Sequence, residues 1–460
     1  MTRAKIGVLG LLLEAYKPLF PGIQEEQETY LRGVLAGFGE IADFDFPGAA
    51  TTRDEIEATV RRFNADGLDG VLIVMLSYAP GQHLIHALRE NHLPLALVLI
   101  QPEERVRPDI DERGLTVNQG IHGSQDVANS LTRSGVRFEV YAGSRTDGRL
   151  ARFLVDFAAA AATTTAARRM RLGAIGALTG MGDIIVDELA LFRGLGPQIC
   201  HDAVGQVFRH CEAVAEADVL RRVAEDRERF EVDPGLGPEA HGYAVRLYLG
   251  IKAWLDENGY AGYTAHYEGF GADGRFHQLP LLAASHLLAD GYGYAAEGDV
   301  MAAALVTILG RLVGEVNFTE MYMFDLERDA ILFAHAGEGN WATAAGRPRL
   351  IDRGLTEGGL GNPPTPIFTP RPGRATIASL VHLGEERFRL VSASGELLEQ
   401  VDLPGCEMPS FFFRPDRGAE ALAADWLRSA GAHHQALVLG DHEARIALWC
   451  RINGIEQVRL

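Results

Sequence analysis

The chain has 460 residues with 43 basic and 62 acidic side chains, and its formal net charge of −19 speaks against nucleic acid as a partner, because the phosphates would be repelled. Nearly half of the residues are apolar, enough for two to four globular domains, yet no run approaches the roughly 20 apolar residues that span a bilayer. With no convincing signal peptide and four cysteines that form neither a CxxC pair nor a His/Cys cluster, we expect a cytoplasmic protein without a membrane partner, a structural zinc or a disulfide framework.

The first third of the chain alternates short apolar runs with amphipathic segments. Residues 5–13 form the first predicted strand, and a helix over 52–64 is predicted to be capped by Thr51 or Thr52. Residues 70–75 and 95–100 are continuous apolar runs, typical of strands covered on both faces, with a helix between them. This order predicts a doubly wound parallel sheet in an N-terminal α/β domain of residues 1–168.

Ligands of such sheets bind at the carboxyl ends of the strands. A dinucleotide-binding site at the turn after the first strand is therefore an alternative to consider. The stretch Gly7-Val8-Leu9-Gly10 lacks the third glycine of that fingerprint and continues into Pro18 and Pro21 instead of a helix. The sequence therefore disfavours a dinucleotide site.

A change in composition marks the next boundary, where a helix of small residues over 157–167 is followed by a basic stretch. Residues 172–178 are predicted as another apolar strand, and most of 201–230 as helix. Further helices are predicted at 245–258, 279–288 and 300–313. These elements predict a second Rossmann-like α/β domain, residues 169–315.

The pattern then changes to alternating strands separated by turns. Strands are predicted at 321–324, 330–334, 377–383, 387–394, 397–403 and 410–413. One of the predicted turns is Ser394-Gly395-Glu396. We expect a C-terminal antiparallel β-barrel-like domain over residues 316–460, so that the fold class is α/β with two doubly wound domains followed by a barrel.

Two carboxylates and an imidazole stand next to turn signals at the ends of apolar segments. Gly298 and Asp299 follow Glu297, Asn317 lies just before Glu320, and glycines follow His335. A set of one His and two Glu fits a divalent ion of the manganese, magnesium or zinc kind, because oxygen donors suit harder ions while imidazole also accepts transition ions. The sequence thus predicts a metal site that leaves room for a substrate.

Each of these side chains, taken singly, also fits an ordinary structural role. Glu297 is placed to cap the helix that begins near Asp299, Glu320 fits a solvated strand position, and His335 fits a core histidine. The context of the three residues therefore has to decide.

That context is the stretch GYGYAAEGD around Glu297, FTEMYMFD around Glu320 and FAHAGEGN around His335, which in order and approximate spacing resembles the metal-binding segments of the L-arabinose isomerase family. The family resemblance implies a fourth ligand from a paired histidine after a small-residue turn. His433-His434 matches it, and the resemblance assigns the metal to His434 and leaves His433 at the substrate or in a supporting role.

Other segments extend the resemblance to the sugar pocket. The family's NQ..HG segment is matched by Asn118 to Gly123, which implies that His122 reaches into a neighbouring subunit's site. By the same resemblance Tyr267 and Met181 are pocket-wall candidates, although an ordinary core aromatic and thioether fit equally well. The family's first turn carries Gly-Ser-Gln-His and Tyr-Gly, whereas this chain departs from it and offers Tyr16.

The resemblance implies an aldose–ketose isomerase that acts on L-arabinose or a related aldose through a cis-enediol, with Mn²⁺ or another divalent cation. Glu297 and Glu320 would be the acid and base, and a shared site implies a homo-oligomer, a trimer or hexamer. Two alternatives remain at this stage: metal-dependent chemistry on another sugar or sugar acid, and a sugar-binding protein without turnover.

Overall fold

The computed structural model describes residues 3–176, 180–355 and 359–460. The chain forms two compact units: the first consists of Met1–Ala166 and Arg445–Gly454, and the second of Ala167–Ala444 and Ile455–Leu460. The boundaries of the three domains expected from the sequence stay a prediction.

The first unit contains a parallel sheet with helices between its strands. Its strands are β1 (Ala4–Leu11), β2 (Ala42–Asp45), β3 (Ala49–Ala50), β4 (Gly70–Met75), β5 (Leu95–Leu99) and β6 (Glu139–Ala142). Its helices are α1 (Tyr16–Leu19), α2 (Ile23–Ala36), α3 (Arg53–Ala65), α4 (Ile85–Glu90), α5 (Glu112–Asn118), α6 (Gly120–Arg133) and α7 (Arg149–Ala167). The strand order is β2-β1-β4-β5-β6, with β3 beside β1. Thr52 caps α3 in a capping box with Glu55, which confirms the predicted start of that helix.

Helix α7 has 19 residues and is, in the described part of the chain, the one helix long and apolar enough to pass a length-and-composition test for a membrane span. Half of its most apolar window is buried within the structure. The core helix of a globular domain passes the same test, so α7 does not indicate a membrane.

The second unit begins with another parallel sheet. This part contains strands β7 (Arg171–Ile175), β8 (Gln198–His201), β9 (Glu231–Val232), β10 (Gly262–Ala265) and β11 (Gly293–Ala296). It contains helices α8 (Glu188–Gly194), α9 (Val204–Glu212), α10 (Glu216–Arg229), α11 (Pro238–Asn258), α12 (Tyr267–Asp273), α13 (Leu281–Ala289) and α14 (Val300–Val313). The sheet has the order β11-β10-β7-β8 and all its pairs are parallel. The predicted strand at 172–178 ends at Ile175, and Leu178 and Thr179 lie outside the described residues.

The rest of the second unit is built around a closed antiparallel barrel. The remaining strands are β12 (Val316–Asp325), β13 (Ala330–Ala334), β14 (Arg349–Asp352), β15 (Pro364–Ile367), β16 (Gly373–His382), β17 (Phe388–Leu397), β18 (Ser410–Pro415), β19 (His434–Leu439) and β20 (Glu456–Arg459). The remaining helix of this unit is α15 (Ala419–Arg428), whereas α16 (Glu443–Asn453) belongs almost entirely to the first unit. Six strands close the barrel in the order β16-β19-β12-β13-β18-β17, because β17 also pairs with β16. The predicted fold class, two Rossmann-like sheets and a C-terminal barrel, is confirmed.

The predicted strand at 397–403 is wrong, and so is the turn predicted before it. Strand β17 continues through Ser394-Gly395-Glu396 and ends at Leu397. A Cβ on Gly395 would lie 2.3 Å from the carbonyl oxygen of Arg414 in β18. The glycine therefore permits the close approach of two strands instead of forming a turn.

Helix α14 joins the parallel sheet to the barrel. It contacts β10 and β11 of the sheet and β12, β16 and β19 of the barrel, and eleven of its fourteen residues are buried. A helix that is apolar on all sides can be accommodated only in such a position. Its packing on β11 is close, because a Cβ on Gly293 would lie 1.8 Å from Oγ1 of Thr307.

Replacing Gly293 by alanine is therefore expected to destabilise the second unit by about 1–3 kcal/mol through overpacking. The matched control is Gly310→Ala in α14, where the new Cβ would meet Cγ1 of Val316 at 3.4 Å. This control should leave stability unchanged or raise it slightly, because alanine favours the helix. Thermal unfolding of both variants checks the pair, and equal midpoints would contradict the packing account.

Candidate functional site

The candidate site lies where the sheet and the barrel of the second unit meet. Glu297 directly follows β11, at the carboxyl end of the parallel sheet. Glu320 lies within β12, His335 directly follows β13, and His434 is the first residue of β19. The structure thus brings together the four residues that were predicted as metal ligands.

The register of the barrel strands sets the spacing of three of these side chains. Glu320 pairs with His434 of β19 on one side and with Ala334, next to His335, of β13 on the other. Oε1 of Glu320 lies 3.2 Å from Nε2 of His434 and 3.9 Å from Nε2 of His335. The carboxylate of Glu320 therefore lies between two imidazoles.

Glu297 approaches the same imidazoles from the sheet. Its Oε2 lies 3.6 Å from Nε2 of His434. Its backbone has a φ of 63°, in the left-handed region, and Gly298 after it has a φ of 83°. A left-handed conformation is costly for a residue other than glycine and persists only where the surrounding structure holds it.

His433 also faces the carboxylates. Its Nε2 lies 3.8 Å from Oε2 of Glu297 and 3.7 Å from Oε1 of Glu320. Its side chain is 36% exposed, whereas that of His434 is fully buried. His433 is therefore more exposed than His434, and its contact with substrate stays a prediction.

All three imidazoles are held at Nδ1 by a carboxylate that sequence reasoning did not assign to the site. His335 is bound by Glu338 at 2.7 Å, His434 by Asp299 at 2.8 Å and His433 by Asp183 at 2.7 Å. Since a carboxylate only accepts hydrogen bonds, Nδ1 donates in each pair and Nε2 is the nitrogen presented to Glu297 and Glu320.

A signal for two of these carboxylates was present in the sequence. Asp299 and Glu338 lie inside the motif segments around Glu297 and His335. Asp183 stands two positions after the pocket-wall candidate Met181, but it lies outside the motif segments, and no sequence pattern related it to His433.

These residues fit a divalent ion. Ligand atoms of Glu297, His433 and His434 lie within 4.8 Å of one another, and so do those of Glu320, His335 and His434. Oε2 of Glu297 and the Nε2 atoms of His433 and His434 are buried without a hydrogen-bond partner. Buried polar atoms without partners are costly, and an ion held by Glu297 and His434 would satisfy two of them.

The electrostatics of the site also favour a bound cation. Burial raises the pKa of Glu320, but His434, His335 and His433 together bring the pKa below its usual value. Burial lowers the pKa of His434, but Asp299 and Glu320 outweigh it and raise that pKa to about 10. Without an ion, a proton on His434 therefore compensates part of the negative charge, and a cation would replace that proton.

A cavity of about 270 Å³ opens beside the cluster. Glu297, Glu320 and His335 line one side. Tyr267, which begins α12, lines the cavity, as does Phe270. The rest of the lining consists of Ala265, Leu279, Pro280, Leu281, Tyr294, Ala296, Tyr322, Ala336, Glu338 and Leu355. The mixed lining suits a small polar molecule with an apolar face.

The other predicted substrate residues, including His433, lie outside this cavity lining. Met181 is half-buried in the loop that follows β7. Tyr16 and His122 belong to the first unit, where Nε2 of Gln119 donates to the hydroxyl of Tyr16 at 2.9 Å and His122 is exposed near the start of α6. Their contact with a sugar stays a prediction.

A carboxylate at the carboxyl end of a parallel sheet that faces a carboxylate and imidazoles of an adjoining barrel supplies oxygen and nitrogen donors suited to a divalent ion. Residues 186–314 match the L-arabinose isomerase central domain, and residues 315–456 match the L-arabinose isomerase C-terminal domain. The L-arabinose isomerase of Nocardioides sp. is 30% identical over 388 residues, which cover 81% of this chain and 76% of that protein. The chain belongs to the L-arabinose isomerase family and is an isomerase.

Two further relatives agree with this assignment. The L-arabinose isomerases of Clostridium beijerinckii and Geobacillus stearothermophilus are each 27% identical, over 86% and 90% of this chain and 81% and 85% of their own lengths. A periplasmic solute-binding protein with bound D-allose, from Actinobacillus succinogenes, has a TM-score of only 0.18 at 11% identity and does not bear on the fold.

Mn²⁺, used as a probe of this candidate site, is expected to bind less tightly on acidification. Because the pKa of His434 is raised to about 10 in the ion-free protein, binding near neutral pH displaces a proton. The association constant should therefore rise about tenfold per pH unit between roughly pH 6.5 and 8.5. Calorimetry in buffers of different ionisation enthalpy would measure the released proton. His201→Gln, which changes an exposed histidine of the same unit, is the control, and a binding enthalpy independent of the buffer would contradict the expectation.

Proposed function

We propose that the chain is a metal-dependent aldose–ketose isomerase that converts L-arabinose, or a related aldose, through a cis-enediol. The observation that carries the proposal is a pair of overlapping groups of possible ligand atoms that share His434: Glu297 with His433 and His434, and Glu320 with His335 and His434. The relatives in the family are named for the same reaction on L-arabinose.

Glu297, Glu320, His335 and His434 would hold the ion, with Mn²⁺ as the proposed occupant. The chemistry that such an ion supplies is electrophilic, since it stabilises negative charge that grows on neighbouring oxygens. The imidazoles would bind as neutral rings through Nε2, because each Nδ1 already donates to a carboxylate.

The isomerisation itself would be a sequence of proton transfers, and we assign these transfers to Glu297 and Glu320. One carboxylate removes the proton from C2 of the open-chain aldose, the electron pair forms the C1–C2 double bond, and the aldehyde oxygen takes up a proton to give the enediol. The hydroxyl on C2 then loses its proton as the carbonyl forms there, and C1 receives a proton. Both groups must lie within hydrogen-bond reach of the reacting atoms, which a carbon skeleton in the adjoining cavity would allow.

The surroundings of the two glutamates suit a bound sugar. Tyr267 and Phe270 would cover the carbon chain of the sugar. His433, which lies outside the cavity lining but faces both carboxylates, would contact a hydroxyl group. Restricting water protects the enediol and strengthens the electrostatic interactions in the site.

We further propose the remaining features that the family resemblance implies. These are a cytoplasmic homo-oligomer, a trimer or hexamer, in which Tyr16, Met181 and a neighbouring subunit's His122 help to bind the sugar. No nucleic acid or membrane partner is part of the proposal, and the three-domain division at residues 168 and 315 belongs to it.

Glu297→Gln and Glu320→Gln should each lower kcat by about 10²–10⁴-fold, because the amide neither takes up nor delivers the proton. The first assay is ketose formation from a panel of aldoses with Mn²⁺. The second is the uptake of tritium from tritiated water in exchange for the C2 proton. Glu188→Gln is the matched control, since that glutamate binds the exposed His201 in the same unit. Full turnover and exchange in both site variants would exclude these residues as the acid and base. Sugar binding without turnover by the unchanged protein would favour a binding protein.

A further inference from the structure

We propose that Asp183, Asp299 and Glu338 are positioning residues that hold three imidazoles with Nε2 directed at Glu297 and Glu320. Two of them would orient the metal ligands His335 and His434, and Asp183 would orient the substrate-facing His433. The inference rests on the proposed function and assigns to these carboxylates the geometry on which that function depends. Supporting partners of this kind fix the ring orientation and raise the basicity of the ligand.

Glu338 is fixed from two sides within the core. One oxygen of its carboxylate accepts a hydrogen bond from Nδ1 of His335 at 2.7 Å, and the other accepts one from the hydroxyl of Tyr294 at 2.8 Å. The residue is 5% exposed. The backbone amide of Gly339 also donates to Ser285 at 3.2 Å, so the loop that carries Glu338 is attached to α13. The ring of His335 is therefore fixed by a carboxylate that is itself held in place.

The two carboxylate oxygens of Asp299 accept hydrogen bonds from different elements. Oδ1 accepts from the amide of Ala302 at 2.9 Å and caps α14, while Oδ2 accepts from Nδ1 of His434 at 2.8 Å. The turn Glu297-Gly298-Asp299 therefore supplies a site carboxylate, a helix cap and the support of a histidine on the barrel. Asparagine caps a helix about as well as aspartate, so Asp299→Asn changes mainly the bond to His434.

Asp183 connects the sheet to the barrel in the same way. Its Oδ2 accepts from both the backbone amide and Nδ1 of His433, at 2.9 and 2.7 Å. The aspartate lies in the loop after β7, and its side chain is 40% exposed. Because Asp183 is partly exposed, its pair with His433 contributes little to the stability of the fold.

A carboxylate–histidine pair elsewhere in the second unit shows what a purely structural network looks like. Asp226 binds Nε2 of both His241 and His286 at 3.2 Å. Nδ1 of His286 in turn accepts from Arg222 at 2.8 Å and Trp341 at 3.1 Å, so both ring nitrogens are used. In contrast, Nε2 of His433 and of His434 faces the carboxylates of Glu297 and Glu320 without forming a hydrogen bond. These two imidazoles are thus supported on Nδ1, while Nε2 is directed at the candidate site.

The test compares Asp183→Asn, Asp299→Asn and Glu338→Gln with Asp226→Asn as the matched control. Three quantities are measured on the full-length protein: the unfolding midpoint without metal, the affinity for Mn²⁺ by calorimetry, and KM and kcat for the aldose. NMR of ¹⁵N-histidine-labelled protein without metal follows the Nδ1–H protons directly.

Positioning predicts that Asp299→Asn and Glu338→Gln weaken Mn²⁺ binding about 10–100-fold. Asp183→Asn should leave that affinity within about threefold and lower kcat/KM, because His433 faces the substrate in this account. Each site variant should lose or shift one slowly exchanging Nδ1–H signal. Asp226→Asn should lower the unfolding midpoint while the folded protein keeps its Mn²⁺ affinity.

Unchanged Nδ1–H signals and unchanged Mn²⁺ affinity in the site variants would overturn the positioning role, while Mn²⁺ binding by the unaltered protein would still support the proposed function. An unaltered protein that binds no Mn²⁺ would overturn the proposed function, and the NMR signals would then still decide whether the carboxylates orient the rings. Should Glu338→Gln fail to fold, Tyr294→Phe removes only the second donor to Glu338. A loss of Mn²⁺ affinity in that variant supports the positioning role, and an unchanged affinity contradicts it.

Discussion

The register of three antiparallel strands is the constraint on which this site depends. Because β12 pairs with β19 and β13 as it does, Glu320 stands opposite His434 and next to the end of β13, where His335 follows. A shift of one residue in either pairing would turn the side chain to the other face of the barrel wall. The closure of the barrel resists such a shift, since a closed barrel has no free edge strand along which pairing can slip.

Helix α14 positions Glu297, the glutamate that follows the parallel sheet, against these barrel strands. The helix contacts both the parallel sheet and the barrel, and its cap Asp299 binds the histidine of the barrel that faces Glu297. Packing, helix capping and ligand orientation are therefore coupled in one turn of the chain. The left-handed backbone of Glu297 is the local cost of this arrangement, and the buried bonds around it hold the residue there.

Much of the site was predictable because its residues lie in short segments with a recognisable order. Glu297, Glu320, His335 and the His433-His434 pair each stand in a motif, and turn residues mark the ends of the neighbouring elements. Asp183 was not predictable, because only the folded chain brings it to His433. The strand expected at 397–403 failed for a related reason: Gly395 was interpreted as a turn, although its role is to let β17 and β18 approach closely. Local patterns indicate where elements lie, whereas contacts between distant strands depend on tertiary packing.

Crystals grown with Mn²⁺ and a polyol analogue, measured at the manganese absorption edge, test the central claim most directly. The account predicts one anomalous peak in the second unit, within about 2.5 Å of ligand atoms from Glu297, Glu320, His335 and His434. It also predicts two neighbouring oxygens of the analogue on the cavity side of that peak. A manganese ion bound at other residues, or an analogue that binds in the cavity with no ion beside these four side chains, would contradict the account.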